Sequence, residues 1–218
     1  MAGTSPAMTE QIIPPTIGLV LAGGRATRMG GGDKTLLEVG GTTILQRVLA
    51  RIHPHCASIA LNANSDPSRF TAYELPVVAD EVPDFAGPLA GILAGLEWAA
   101  RAHPAIEWIA SVPGDCPFLP RDLIPRLHEA RNAEGKILAC ARSGEWRHPV
   151  VALWPVALRV DLRRALFDED LHKIELFTGR YGVAVAEWPD RPVDPFMNVN
   201  TPEDLATAIN IAARNRDV

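Results

Sequence analysis

Apolar residues along the chain follow two periodicities. Short unbroken apolar runs that end at Gly, Asp or Pro read as buried strands, and apolar positions repeating at three and four residues read as helices. Ile17-Gly-Leu-Val-Leu-Ala22 is a run of the first kind, ending in glycines, and has the profile of a parallel strand entering a loop. Ser58–Asn62, Pro76–Ala79, Trp108–Val112, Lys136–Arg142, Val150–Trp154, Val183–Glu187 and Phe196–Val199 are expected strands of the same kind. Between them, Ile44, Leu45, Val48, Leu49 and Ile52 keep helical spacing behind Thr43, with Gln46 completing a capping box. Pro88–Ala100, Arg121–Asn132 and Val156–Phe167 are further expected helices, and Thr201 caps a last one with Pro202 in its first position. This alternation predicts an α/β sandwich on a mainly parallel sheet with right-handed crossovers. Ligands in such folds sit beyond the carboxyl ends of the strands. Attention therefore falls on Gly23–Lys34, Asn62–Asn64, Asp80–Gly87 and Gly114–Cys116.

Composition narrows the classes of function. The chain has 218 residues, 47% hydrophobic and 22% charged, which fits a globular protein and excludes a disordered one. Met1–Pro15 reads as a polar extension without the features of a signal peptide, and residues 16–218 as one domain. A net charge of −5 argues against nucleic acid as a partner. No apolar run is long enough for a membrane helix. The three cysteines, Cys56, Cys116 and Cys140, lack paired spacing and fit reduced thiols in a cytoplasm. His53-Pro-His55 reads as a chain stop, and the five tryptophans as core or rim aromatics.

Glycine is unevenly spread: five of the seventeen lie within Gly23–Gly32. The stretch reads Leu21-Ala-Gly-Gly-Arg-Ala-Thr-Arg-Met-Gly-Gly-Gly-Asp-Lys34. Glycines let backbone N–H groups approach an anion, and Arg25, Arg28 and Lys34 supply cations against the single acid Asp33. Together they form a cradle for a polyphosphate. It is neither a Walker A loop, since Asp33 precedes Lys34, nor a dinucleotide fingerprint, since Thr35 stands where the last glycine should be.

Other strand ends carry complementary chemistry. Asp115, after Trp-Ile-Ala-Ser-Val-Pro-Gly, is a lone carboxylate of the kind that suits Mg²⁺, a hard cation that keeps waters and bridges to phosphates. Cys116 beside it has no positioned base and reads as a small packing residue. Asp80 can accept two parallel hydrogen bonds from a base edge that presents N1–H and an exocyclic amine, as guanine does. Asn62 and Asn64 compete for a neighbouring polar role. His148, before Pro149, is open between packing and substrate contact.

Taken in order, these motifs resemble the molybdenum cofactor guanylyltransferases. Leu-Ala-Gly-Gly-x-x-x-Arg-Met-Gly-x-x-Asp-Lys is similar to their signature. Leu-Asn-Ala-Asn, Asp-x-x-x-Asp-x-x-Gly-Pro-Leu-Ala-Gly, Gly-Asp-Cys-Pro-Phe, Arg-His-Pro and Phe-Met-Asn-Val-Asn-Thr-Pro-Glu-Asp follow in family order over about residues 16–207. The resemblance implies a Rossmann-like three-layer nucleotidyltransferase fold that moves GMP from GTP to the terminal phosphate of molybdenum-molybdopterin, releasing pyrophosphate. It assigns nucleotide binding to Leu21, Ala22, Gly23, Gly24, Lys34, Asn62, Asp80 and Asp115, catalysis to Arg28, Lys34 and Asp115, and Mg²⁺ to Asp115. It favours Asn62 over Asn64. Molybdopterin is implied near Gly87 and Pro88 and near Asn198 and Asn200, which would share one face of a strand. A cytoplasmic enzyme is implied, one that works beside a small GTP-binding partner protein and supplies molybdoenzymes or their chaperones.

Two rivals stand beside this reading. The cytidylyltransferase sister family typically carries Ala-Ala-Gly where this chain has Ala22-Gly23-Gly24, and Asp80 also favours guanine. A non-catalytic carrier of cofactor or nucleotide would have no use for Lys34 and a metal aspartate.

Overall fold

The structure is a computed structural model that describes residues 13–23, 34–64, 66–81 and 87–214. The chain runs β1 (Thr16–Leu21), β2 (Glu38–Val39), β3 (Thr42–Thr43), α1 (Ile44–Ile52), β4 (Ser58–Asn62), β5 (Val77–Val78), α2 (Pro88–Ala102) and β6 (Trp108–Pro113). It continues through α3 (Leu123–Ala133), β7 (Leu138–Ser143), β8 (Trp146–Pro155), α4 (Arg159–Phe167), α5 (Ile174–Thr178), β9 (Val183–Trp188) and α6 (Pro202–Arg214). Seven strands form one sheet in the order β5-β4-β1-β6-β8-β7-β9. Only β8 opposes the common direction, pairing antiparallel with β6 and β7.

Side chains alternate across the sheet, so each strand feeds two cores. On one face Val20, Leu61, Val112 and Leu153 pack against Ile44, Leu45, Val48 and Ile52 of α1, Leu123 and Leu127 of α3, and Ala208 of α6. On the other, Ile17, Leu19, Ile109 and Trp154 meet Leu89, Ile92, Leu93 and Leu96 of α2, Leu162 of α4 and Phe177 of α5. The result is the three-layer α/β sandwich.

Local signals behave as their chemistry requires. The Thr43 hydroxyl accepts from the Gln46 N–H at 3.1 Å while the Gln46 side chain accepts from the Thr43 N–H at 2.9 Å, closing the capping box of α1. Thr201 accepts from the Asp204 N–H at 3.1 Å, and the Asp204 carboxylate accepts from the N–H groups of Asn200 and Thr201, both at 2.9 Å.

The expected helix over Val156–Phe167 is a 3-10 turn followed by α4. The expected strand at Phe196–Val199 is absent. Phe196 and Val199 are buried, which gives the run its apolar look, but the backbone bonds elsewhere. The Phe196 N–H donates to Asp194 Oδ1 at 3.0 Å, and the Val199 N–H to the Asp115 carbonyl at 2.9 Å. Burial without a ladder makes this a packed loop, so Asn198 and Asn200 do not share a strand face. Among the described residues no helix is long and apolar enough to cross a membrane.

Candidate active site

The sheet order places β1 at its turning point. The chain leaves β1 toward β4 and β5 on one side, then returns to β6 on the other. Such a reversal opens a crevice at the strand carboxyl ends. The ends of β1 and β6 are tied by the Gly114 N–H donating to the Leu21 carbonyl at 2.9 Å, and β1 and β4 by the Ala22 N–H donating to the Asn62 carbonyl at 2.8 Å. Leu21, Ala22, Gly23, Asn62, Asp80 and Asp115 thus gather along one edge. Gly24, Arg25, Arg28, Gly30–Gly32, Asp33 and Asp84 lie outside the described residues.

Polar side chains at this edge form two groups. In the first, the Asp80 carboxylate accepts from Asn62 Nδ2 at 2.7 Å through one oxygen and from Asn64 Nδ2 at 2.6 Å through the other. Asn62 Nδ2 also donates to the Val78 carbonyl at 3.1 Å. The Asn62 carboxamide fits only because α2 passes close by with a glycine. A Cβ at Gly91 would stand 2.2 Å from Asn62 Oδ1. Close approach at Gly91 therefore comes from another element of the same chain.

The second group surrounds Asp115. Lys34, opening a 3-10 turn, donates from Nζ to Asn200 Oδ1 at 2.8 Å. Burial raises the Asp115 carboxyl above its ordinary value, while Lys34 and the residue's own backbone N–H pull the other way. A half-buried lone carboxylate facing a cation is compatible with Mg²⁺, which takes one or two carboxylates and completes its shell with water and phosphate. Among the described residues no group of three or more His, Cys, Asp or Glu side chains could hold a metal alone.

Cys116 is buried, and its thiol is pushed well up by burial, with Asp115 and Asp194 adding to the shift. It is therefore protonated. It donates to Asn198 Oδ1 at 2.8 Å, with a longer contact to the Phe196 carbonyl at 3.6 Å. The two asparagines of the loop are thus fixed by different partners, Asn198 by Cys116 and Asn200 by Lys34.

His148 faces this loop through a backbone irregularity. The β7–β8 register shifts between Cys140 and Ala141, which turns His148 toward the α3 side while Ala152 and Trp154 face the other core. His148 Nε2 and Ser143 Oγ are 2.7 Å apart, and the ring packs on Phe196 with centroids 4.7 Å apart. Burial lowers its pKa, opposed by Asp194. Gly87 caps α2 with Pro88 in the first turn.

Sequence reasoning did not find the hydrogen bonds made by Asn64 and Cys116. Each depends on a contact between segments far apart in sequence. The only signal was the position of both residues just after a strand.

The profile of the MobA-like NTP transferase domain matches residues 18–188. A molybdenum cofactor guanylyltransferase of Nitrobacter hamburgensis is 57% identical over 201 residues, covering 92% of this chain and 96% of its own. The chain belongs to the molybdenum cofactor guanylyltransferase family. It is a nucleotidyltransferase of molybdenum cofactor biosynthesis. Among solved structures, the Archaeoglobus fulgidus molybdopterin-guanine dinucleotide biosynthesis protein A is similar in fold, with a TM-score of 0.70 at 22% identity over 91% of this chain and all of that one. A Mycobacterium tuberculosis protein solved in complex with manganese aligns with a TM-score of 0.64 at 21% identity, over 90% of this chain and 98% of its own.

Proposed function

We propose that the chain transfers GMP from GTP to the terminal phosphate of molybdenum-molybdopterin, giving molybdopterin guanine dinucleotide cofactor and pyrophosphate. The observation that carries the choice of base is the Asp80 carboxylate. It has about four lone-pair sites, and Asn62 and Asn64 use one on each oxygen. Among the described residues one site per oxygen is left, matching the adjacent N1–H and N2–H donors of guanine. Cytosine and adenine each present one donor beside an acceptor, which would face the carboxylate unfavourably. The name of the Nitrobacter relative supports the same reading.

The acceptor phosphate is itself the nucleophile, so the protein's task is alignment and charge neutralisation. Leu21, Ala22, Gly23 and Gly24 present backbone to the nucleotide, and Arg28 and Lys34 meet charge on the departing phosphates. Asp115 would hold Mg²⁺, which would supply neutralisation of phosphate charge. Lys34 already bonds Asn200, so the triphosphate side and the Asn198–Asn200 loop share a cation. Asn198 and Asn200, with Gly87 and Pro88, contact the pterin. The product passes to molybdoenzymes or their chaperones, and the enzyme works in the cytoplasm beside a small GTP-binding partner protein.

A turnover assay with GTP and CTP side by side, each with Mg²⁺ and molybdopterin, tests the reading. Pyrophosphate release with GTP at least tenfold faster than with CTP is expected. Equal or faster release with CTP would make the chain a cytidylyltransferase, and binding of both substrates without pyrophosphate would make it a carrier.

A further inference from the structure

Asn64 lies outside the set of residues given a nucleotide role above, yet it makes the most complete contact with Asp80. Its Nδ2 donates to Asp80 Oδ2 at 2.6 Å, and its Oδ1 accepts from the Asp80 backbone N–H at 2.8 Å. Both ends of one carboxamide therefore close on one residue, and the ring they form restrains the side-chain torsion of Asp80. Asn62 Nδ2 donates to the other carboxylate oxygen at 2.7 Å. Asn62 is buried and anchored to the Val78 carbonyl, whereas Asn64 is exposed and has little packing to lose. We propose that Asn64 is a specificity-determining positioning residue, whose reciprocal hydrogen bonds to Asp80 fix the carboxylate plane against the two-donor edge of a guanine base. This inference rests on the reading of Asp80 as the base-recognition residue.

The physical reason is directional. Two parallel hydrogen bonds need both acceptors and both donors in one plane, and a carboxylate free to rotate satisfies one at a time. Asn64 holds Oδ2, which we pair with the 2-amino group of the base; without Asn64 that oxygen loses its restraint first. A base lacking that amino group has less to lose. Inosine triphosphate, whose hypoxanthine keeps N1–H but has no 2-amino group, is therefore the discriminating probe.

The test measures dissociation constants for GTP and ITP by calorimetry, and kcat at saturating GTP, in the full chain and in Asn64→Ala, Asn64→Ser and Asp80→Ala. In Asn64→Ala the GTP dissociation constant is expected to rise about tenfold, the size of one hydrogen bond to a charged group. The GTP-over-ITP preference shrinks at least threefold and kcat stays within about twofold. Asn64→Ser provides a second truncation should the alanine variant not fold. The inference is overturned if the asparagine variants keep both constants within about twofold while Asp80→Ala erases the preference. It is also overturned if they weaken GTP and ITP equally and depress kcat, the mark of a merely structural role. If Asp80→Ala itself leaves the preference intact, the reading of Asp80 fails and the role of Asn64 falls with it.

Discussion

Lys34 Nζ and Asn200 Oδ1 meet at 2.8 Å although they lie 166 positions apart in the chain. The contact joins the segment after the glycine loop to the loop before α6, whose geometry the Asp204 carboxylate fixes at Asn200 and Thr201. On the proposed reading, a cation held at this junction serves phosphates from both substrates.

Removing that cation should damage chemistry far more than folding. Lys34 is half-exposed, so truncating it opens no buried cavity. Lys34→Ala is expected to lower GMP transfer by about 10²- to 10³-fold, the scale of losing one preorganised charge contact. The unfolding midpoint should move little. Wild-type GMP transfer in the purified variant would remove Lys34 from the site.

Asp115 offers a separate test. Its carboxyl sits where burial disfavours charge and Lys34 favours it, an environment that a bound dication would reinforce. Asp115→Ala is expected to abolish the response of turnover to added Mg²⁺ or Mn²⁺. A titration of rate against metal concentration should be flat and near background. An unchanged metal response would show that the ion is held elsewhere.

Gly91 and Gly95 lie one turn apart on α2 and can be distinguished by what they face. A Cβ at Gly91 would stand 2.2 Å from Asn62 Oδ1, and one at Gly95 would stand 2.4 Å from Leu19 Cδ2. Both Gly→Ala changes should cost roughly 1–3 kcal/mol of stability through overpacking. Only Gly91→Ala should also raise the KM for GTP, by about tenfold, because it displaces the carboxamide that holds Asp80. Urea unfolding together with steady-state kinetics separates the two. An equal KM effect from both variants would trace it to general loosening of α2.

The sheet was legible because its strands are short apolar runs whose ends carry Gly, Asn and Asp, and because Thr43 and Thr201 announce their helices. Boundaries slipped where burial and strand pairing part company. Phe196 and Val199 are apolar because they are buried, but their segment leans on Asp115 and Asp194 instead of joining the ladder. The short ribbon of β2 and β3 and the five-residue α5 lack the length for a periodic signal. In the candidate site, Asp80, Asn62, Lys34 and Asp115 could be picked out as polar residues at strand ends and in the glycine loop. Their mutual bonding could not. Asn64 against Asp80 and Cys116 against Asn198 are contacts between separate loops, set only when the strands align.

A buried histidine at the opposite end of the sheet predicts how stability depends on pH. The Thr16 hydroxyl donates its one hydrogen to the Pro14 carbonyl at 2.8 Å, so it can only accept from His128 Nε2, also at 2.8 Å. That fixes the Nε2–H tautomer and leaves Nδ1 unprotonated, consistent with its having no hydrogen-bond partner among the described residues. Burial first, and the Arg131 guanidinium second, pull the His128 pKa down to about 4. The unfolded chain holds an ordinary histidine near 6.5, so between those values it binds more protons than the folded one. Stability from this residue is complete above about pH 6.5, declines as pH falls, and is lost by about pH 4. The full span is worth roughly 3 kcal/mol. Urea unfolding at pH 7 and pH 4.5 should show a smaller loss on acidification in His128→Gln, whose side chain does not titrate, than in the unmodified chain. Parallel losses in both proteins would place the acid sensitivity on other groups.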